Sequence, residues 1–397
     1  MALVCVKLLS REGLEGGSSM ARELREVAVV GVGHSDFGML WANKDAERDA
    51  YELAADAYRL ALEDACLPKQ DVDGLICSRV EYARLADVIG LRLPRYVHGL
   101  PGEGRMSGVA LQEAVAVVAT GMADVVACVY GNNGRSVKMK YGGEGGGPTV
   151  AYDDMYGMTS PGAYVAMMYR RYIETYGVPD GALAPLAINN RRNAQRNPVS
   201  VFKDELTVEQ YMGSRFIAEP MRLFDYCIIN DGGVALIVTT MERARSLRKP
   251  PVRIAASAAM GDLTNHYTSA DFFYGACSDV ASRVYAQAGI GPRDVDCVQV
   301  YDNFLPTILF TLEGFGYAER GDAWRAVGDG RIGLDGRLPL NTAGGHTSES
   351  YMQGWAHEVE AVRQIRGEAG ERQVPGCKVA HYMCASPIVT SHVFVGD

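Results

Sequence analysis

The sequence predicts an α/β protein of two similar halves, with a largely helical insertion in the first. Three observations carry this expectation. Strand–helix–strand alternation occurs twice along the chain. At 397 residues the chain exceeds what a single hydrophobic core usually serves. The first alternation is interrupted by a long irregular stretch rich in Gly and Tyr, and such stretches in compact domains are usually functional or mobile.

The first half opens with Val27–Gly33, an apolar run that reads as a buried strand. Its Gly-x-Gly is too weak for a dinucleotide site, because no helix pattern starts directly behind it. A helix follows over 46–65, with Ala54, Ala57, Tyr58, Ala61, Leu62 and Ala65 on one side. Gly74–Ser78 reads as a strand, Ser107–Gly121 as a helix of small residues, and Asp124–Tyr130 as a strand. The insertion spans 131–225, opens with an irregular stretch over 131–162 that includes the glycine-rich run Gly142–Gly147, and places helices near 162–177, 180–196 and 207–218. Val234–Ile237 returns to the first half, which comprises 25–130 and 226–245. The second half, 246–397, carries strands near 252–258, 294–300, 376–382 and 388–395, with helices near 275–289 and 305–316. Residues 1–24 read as a disordered leader, with Met20 near the start of the fold.

Apolar residues make up 48% and charged residues 22%, an ordinary soluble composition. The net charge of −9 argues against a nucleic-acid partner. Arg191, Arg192 and Arg196 form either a local anion-binding patch or a solvated helix face. The nine cysteines show no Cys-x-x-Cys spacing, and several sit in apolar runs. They read as reduced core residues of a cytoplasmic protein, not as metal ligands. No apolar run approaches membrane-spanning length, and the N-terminus lacks a cleavable signal pattern.

The stretch Asn341–Trp355 is the strongest candidate for a site. Gly344 and Gly345 allow close backbone approach to a ligand, and the loop beyond them leads toward a helix through Ala356–Gly367. His346, directly after the glycine pair, is a candidate donor. Tyr351 lies further along the loop. Tyr301 and Asp302 close the strand that ends at Val300. Asp302 either orients Tyr301 or caps the next helix. The other histidines, among them His266 and His357, read as surface or satisfied core residues. Pro101–Gly104 is a turn or a piece of cavity wall.

Tyr169–Gly177, Arg192–Pro198, Pro220–Cys227, Asp231–Leu236 and the loop 341–355 together resemble the sterol-carrier-type branch of the thiolase superfamily. The resemblance extends over roughly 25–395. It implies a thiolase fold: two βαβαβ-type halves in five αβαβα layers, an inserted helical loop domain, a homodimeric core, and an acyl-CoA entering between the loops. In that family a nucleophilic Cys stands at the start of the first buried helix and a catalytic His follows the glycine pair. Here the first position falls on Arg105 or a neighbouring glycine, and the second on Tyr351. An arginine cannot form an acyl-enzyme.

That departure resembles the actinobacterial steroid side-chain-cleaving aldolases, which split a β-hydroxy acyl-CoA by retro-aldol reaction. The resemblance implies a 17-hydroxy steroid side-chain thioester as substrate, and a 17-ketosteroid and propionyl-CoA as products. It also implies an OB-fold, zinc-ribbon partner and no cofactor beyond the CoA of the substrate. Tyr351, Tyr301, Asp302 and His346 are then the catalytic candidates. Gly344 and Gly345 are the ligand-approach candidates. Arg105 either contributes positive charge or pairs with Glu103 or Asp302. Two rival readings stay open: an acyltransferase using Cys384 or Ser107, and a non-catalytic acyl-CoA-binding subunit.

Overall fold

The structure, a computed structural model, describes residues 24–43, 48–102, 104–140, 155–158, 160–263 and 267–396. The expected leader up to residue 23, the glycine run 142–147, Glu103 and His266 lie outside the described residues.

The first half contains β1 (Val27–His34), α1 (Phe37–Asn43), α2 (Ala50–Ala65), β2 (Gly74–Ser78), α3 (Tyr82–Ile89), β3 (Tyr96–Leu100), α4 (Met106–Thr120) and β4 (Val125–Asn132). Then come α5 (Pro161–Tyr176), α6 (Ala184–Gln195), α7 (Val208–Met212) and a hairpin of β5 (Phe216–Ala218) and β6 (Met221–Arg222). β7 (Gly232–Thr240) and α8 (Met241–Ala244) lead to β8 (Val252–Gly261). The chain ends with α9 (Tyr274–Ala288), β9 (Cys297–Val300), α10 (Pro306–Gly314), α11 (Ala323–Gly328), α12 (Trp355–Arg366), β10 (Val379–Cys384) and β11 (Ile388–Gly396).

The strands form one hydrogen-bonded order, β3-β2-β4-β7-β1-β8-β11-β10-β9. The sheet is mixed: β3, β2 and β4 run parallel, as do β9 and β10, while the centre is antiparallel. Its junction is thin, since β1 and β8 share two residue pairs, Ala28 with Arg253 and Val29 with Val252. The two halves thus keep separate sheet faces joined at one edge. α4 touches β2, β4 and β7 of the first half and β8 and β11 of the second; α12 touches β9 and β10 as well as β1 and β7. One core accordingly contains Met106, Leu111 and Trp355 with inward residues of both halves, such as Cys128, Leu236, Tyr382 and Phe394. A second core lies under α2 and α3. A third lies under α9 and α10, joined there by α5 and α6. Helix, sheet, helix, sheet, helix is the resulting sequence of layers, the expected α/β thiolase fold.

Local chemistry explains the elements. Asp49 caps α2 by accepting from the backbone of Tyr51 and Glu52, with Glu52 returning the bond in a capping box. All six apolar residues expected on one side of α2 are buried. Gly31 and Gly33, the Gly-x-Gly of β1, serve packing. A Cβ at either would lie 2.2 Å from Ala61 O or 2.4 Å from Ala57 O, so the strand rests directly on the α2 backbone.

Some expectations need correction. The helix expected over 207–218 is a short α7 followed by β5, because the chain turns at Gly213 and pairs Phe216 with Arg222. α3, β3 and α11 lie outside the expected elements; β3 is a largely exposed edge strand without the apolar alternation that marks a half-buried one. Arg191 is buried, donating to Ser348 Oγ and Asp204 O, while Arg192 and Arg196 are exposed, so no three-arginine patch forms. Among the described residues, no helix is long and apolar enough to cross a membrane.

Arg372 grips Glu360 through Nε and Nη2 at 2.9–3.0 Å, with Arg372 5% and Glu360 2% exposed. Glu360 also accepts from Thr342 and Gln364. Removing one partner of such a pair strands a buried charge, a loss of about 3–5 kcal/mol. Arg372→Met should therefore lower the urea unfolding midpoint markedly, and Arg372→Met combined with Glu360→Leu should recover much of the loss.

Candidate active site

Tyr301 is fixed at the end of β9, where its N–H donates to Met383 O at 2.9 Å. The loop from Asn341 runs beside it. Asn341 substitutes for a strand residue with its side chain: Oδ1 accepts from Val300 N at 2.7 Å and Nδ2 donates to Val300 O at 3.0 Å. A tight turn of wide pitch covers Gly345–Glu349, and Tyr351 follows it outside any helix. The helix to which the loop leads starts at Trp355. Gln353 and Gly354, both with positive φ, turn the chain into it. Every residue from Asn341 to Trp355 is buried except Tyr351, which is partly exposed.

The loop brings the two tyrosines together. Their hydroxyl oxygens lie 3.2 Å apart. The backbone N–H of Tyr351 donates to Asn230 Oδ1 at 2.7 Å, and Asn132 Nδ2 holds Asn230 through its carbonyl. Burial pushes both phenols well above the ordinary tyrosine range, so the neutral form dominates in each.

Gly104 faces this pair. A Cβ there would stand 2.4 Å from the Tyr301 hydroxyl and 2.8 Å from that of Tyr351. Arg105, immediately after it, takes a left-handed backbone with φ 72 and begins α4. Of the alternatives left open by the sequence, the neighbouring glycine is the one whose Cα faces the hydroxyls.

His346 is wholly buried with its ring edge-on to Tyr301 at 4.8 Å and to Tyr351 at 4.9 Å. Its Nε2 accepts from Gly354 N–H at 2.9 Å, which places the proton of the neutral ring on Nδ1. Nδ1 lies 3.2 Å from Asp302 Oδ1, without the alignment of a good hydrogen bond. Burial, with His357 beside it, holds the His346 pKa well below its ordinary value. The ring is therefore a neutral wedge that sets both phenols. Asp302 neither caps α10 nor bonds Tyr301. It accepts from His346 N–H at 2.9 Å, from His357 Nε2 at 3.1 Å and from Asn190 Nδ2 at 2.8 Å. Asp302, His346 and His357 bring possible metal-binding atoms within 4.8 Å of one another, but Asp302 Oδ1 already serves two N–H donors, so the three form a hydrogen-bonded cluster.

The glycine pair packs closely within the protein on its Cβ side. A Cβ at Gly344 would be 2.6 Å from the Cβ of Ala194 on α6, and one at Gly345 would be 2.4 Å from Asp302 Oδ2. Cys384 is buried with Sγ 3.5 Å from Ser386 Oγ, and burial pushes its thiol up to about 12.

A groove of ≈ 840 Å³ is lined by Met158, Ala163, Met167, Arg171, Thr268 and Ser269 among others. Tyr164 and Tyr267 stack at 5.5 Å next to these lining residues, and the Arg105 guanidinium lies 5.8 Å from the Tyr267 ring.

A family model described as thiolase C-terminal domain-like matches residues 258–395. The chain is 34% identical over 393 residues to a 17-hydroxy-3-oxo-4-pregnene-20-carboxyl-CoA lyase of Mycobacterium tuberculosis, covering 94% of this chain and 99% of that one. It is 36% identical to a steroid side-chain-cleaving aldolase of Thermomonospora curvata, over 86% of this chain and 90% of that one. The chain belongs to the thiolase superfamily. Within it, the likeness is to the sterol-carrier-type branch and its aldolases. The solved structure of an Ltp2-ChsH2(DUF35) aldolase superposes with a TM-score of 0.85 at 31% identity, over 94% of this chain and 98% of that one.

Sequence reasoning passed over the asparagines that build this thiolase-fold site. Asn189, Asn193 and Asn197 recur at four-residue spacing along α6 and just past its end, and all are buried. They donate to the carbonyls of Leu340, Asn341 and Ala343, while Asn190 ties Asp302 to Thr347. Four asparagines on or just past one helix, three of them at one spacing, were the available signal.

Asn197 also donates to Glu349, whose carboxyl is pushed from 4.5 up to about 8, first by burial and then by Glu360. Between these values the folded chain holds a proton that the unfolded chain has released, so stability falls as pH rises through that window. Glu349→Gln should flatten this slope, read from urea midpoints at about pH 5 and pH 8. An unchanged slope would assign it to another group.

Proposed function

We propose that this chain cleaves a β-hydroxy acyl-CoA by retro-aldol reaction. The substrate class is a 17-hydroxy steroid side-chain thioester, split to a 17-ketosteroid and propionyl-CoA. The observation that carries the reading is the pair of neutral phenols 3.2 Å apart, facing a position without a side chain. The names of the two relatives support the substrate class.

The reaction moves one proton from the β-hydroxyl oxygen to the carbon α to the thioester and breaks one C–C bond. The hydroxyl proton passes to Tyr351, the proton of Tyr351 to Tyr301 and that of Tyr301 to the α carbon in one concerted relay, so neither phenol ever carries two protons. The electron pair of the breaking C–C bond moves onto the thioester, whose oxygen carries enolate charge until the α carbon is protonated. No proton is gained or lost overall. Phenols whose pKa values are raised suit this exchange, because neither has to stand as a phenolate before substrate arrives. Asp302 and His346 act by holding the tyrosines. No thiol takes part: the hydroxyls face Gly104, and burial keeps Cys384 protonated. The insertion 131–225 serves as the loop domain beside the groove. The homodimer and an OB-fold, zinc-ribbon partner of the DUF35 kind complete the assembly, and the name of the superposed Ltp2-ChsH2(DUF35) aldolase supports such a partner.

Tyr351→Phe and Tyr301→Phe keep the rings and remove only the hydroxyls. Each should lose at least about 10²-fold in kcat, and the double variant should be little worse than the worse single one. Release of propionyl-CoA, followed by chromatography, is the measurement. A Tyr351→Phe enzyme near the wild-type rate would remove the mechanism.

Gly104→Ala forces the hydroxyls apart or fills the reacting space, and should also lose at least about 10²-fold with little change in Tm. The kcat of the wild type should stay flat from about pH 6 to pH 9, since neither phenol ionises there.

A further inference from the structure

Retro-aldol cleavage leaves negative charge on the thioester oxygen, and the two phenols handle protons, not that charge. We propose that the Arg105 guanidinium binds the enolate oxygen and is a further catalytic residue; this rests on the retro-aldol reading above.

Position comes first. Arg105 follows Gly104, whose Cα faces both hydroxyls, and its guanidinium lies 5.8 Å from the ring of Tyr267, the residue before the groove-lining Thr268. The Arg105 side chain is largely buried, at 8% exposure, where a charge acts with less screening than in water. The charge is felt locally: it draws the Cys384 thiol downward against the larger upward push of burial, and Cys384 in turn neighbours Tyr301.

The backbone supplies the second argument. Arg105 holds φ 72, a left-handed conformation that strains a non-glycine residue. Glycine would relieve that strain. What glycine lacks is the guanidinium, and strain of this kind clusters where a side chain must be held in one place. Neighbouring groups do not offer the same service. Arg79 is turned to Gly102 O and Asn132 Oδ1, and His346 is neutral with its Nε2 taken by Gly354.

The test uses Arg105→Gly in the full chain, which removes the cation and the strain together. Its Tm should equal or exceed that of the wild type, while kcat falls about 10²–10³-fold, the effect of losing one enolate-stabilising donor. Added guanidinium, at concentrations too low to unfold the chain, should restore part of the rate. A second measurement isolates the enolate: exchange of the α protons of propionyl-CoA in D₂O, read by NMR, should fall in Arg105→Gly by a similar factor and persist in Tyr351→Phe. Arg105→Gly cleaving within a few-fold of wild type, or losing activity that guanidinium does not restore, would overturn the assignment. If the wild type neither cleaves a β-hydroxy acyl-CoA nor exchanges these protons, the retro-aldol reading itself falls.

Discussion

An irregular loop buried in the middle of a protein must find partners for its backbone, because no water is at hand to serve it. The loop 341–355 meets that constraint with asparagine. A buried carboxamide donates without bringing a charge, and α6 supplies Asn189, Asn193 and Asn197 for the carbonyls of the loop. Asn341 closes the other side by bonding Val300 as a strand residue would. The loop is thereby part of the second-half sheet in all but its dihedral angles. Tyr351 is thus tied to β9, at whose end Tyr301 stands.

From this follows the electrostatic character of the site. Burial disfavours the ionised forms of the three rings at its centre: the phenols stay protonated and His346 stays neutral. Such a site suits a reaction in which a proton only changes place. It suits poorly a step that needs a free base before substrate binds. The single charge that the reaction creates then calls for a fixed cation, the role proposed above for Arg105.

Much of this was legible in the sequence, for identifiable reasons. Apolar runs and three- and four-residue spacing marked β1, α2, α4, β7 and β8, because buried faces impose those periods. α3 and β3 left no such mark, being half exposed at the sheet edge. Tyr351 and Tyr301 were found through motif position, and the structure brings their hydroxyls together. The roles of the supporting residues were not legible. Gly344 and Gly345 looked like ligand-approach glycines, yet the close neighbour turned out to be α6 and Asp302. Asp302 looked like a cap, since a local partner is the default reading of Asp before a helix. Its real partners, Asn190, His346 and His357, are distant in sequence or belong to an element whose register the sequence does not set.

The space in front of the tyrosines also sets which chemistry the fold can host. A Cβ at position 104 would fall within 2.4–2.8 Å of both hydroxyls, closer than such atoms approach one another. A nucleophilic side chain at 104 and a phenol pair 3.2 Å apart are therefore mutually exclusive occupants of one volume. With glycine there, the reacting carbon can sit where a nucleophile would have projected, in reach of two proton carriers. A nucleophile at position 104 and a proton-carrying phenol pair thus compete for one volume on the same scaffold. The buried loop that fixes Tyr351 is what makes the second choice available.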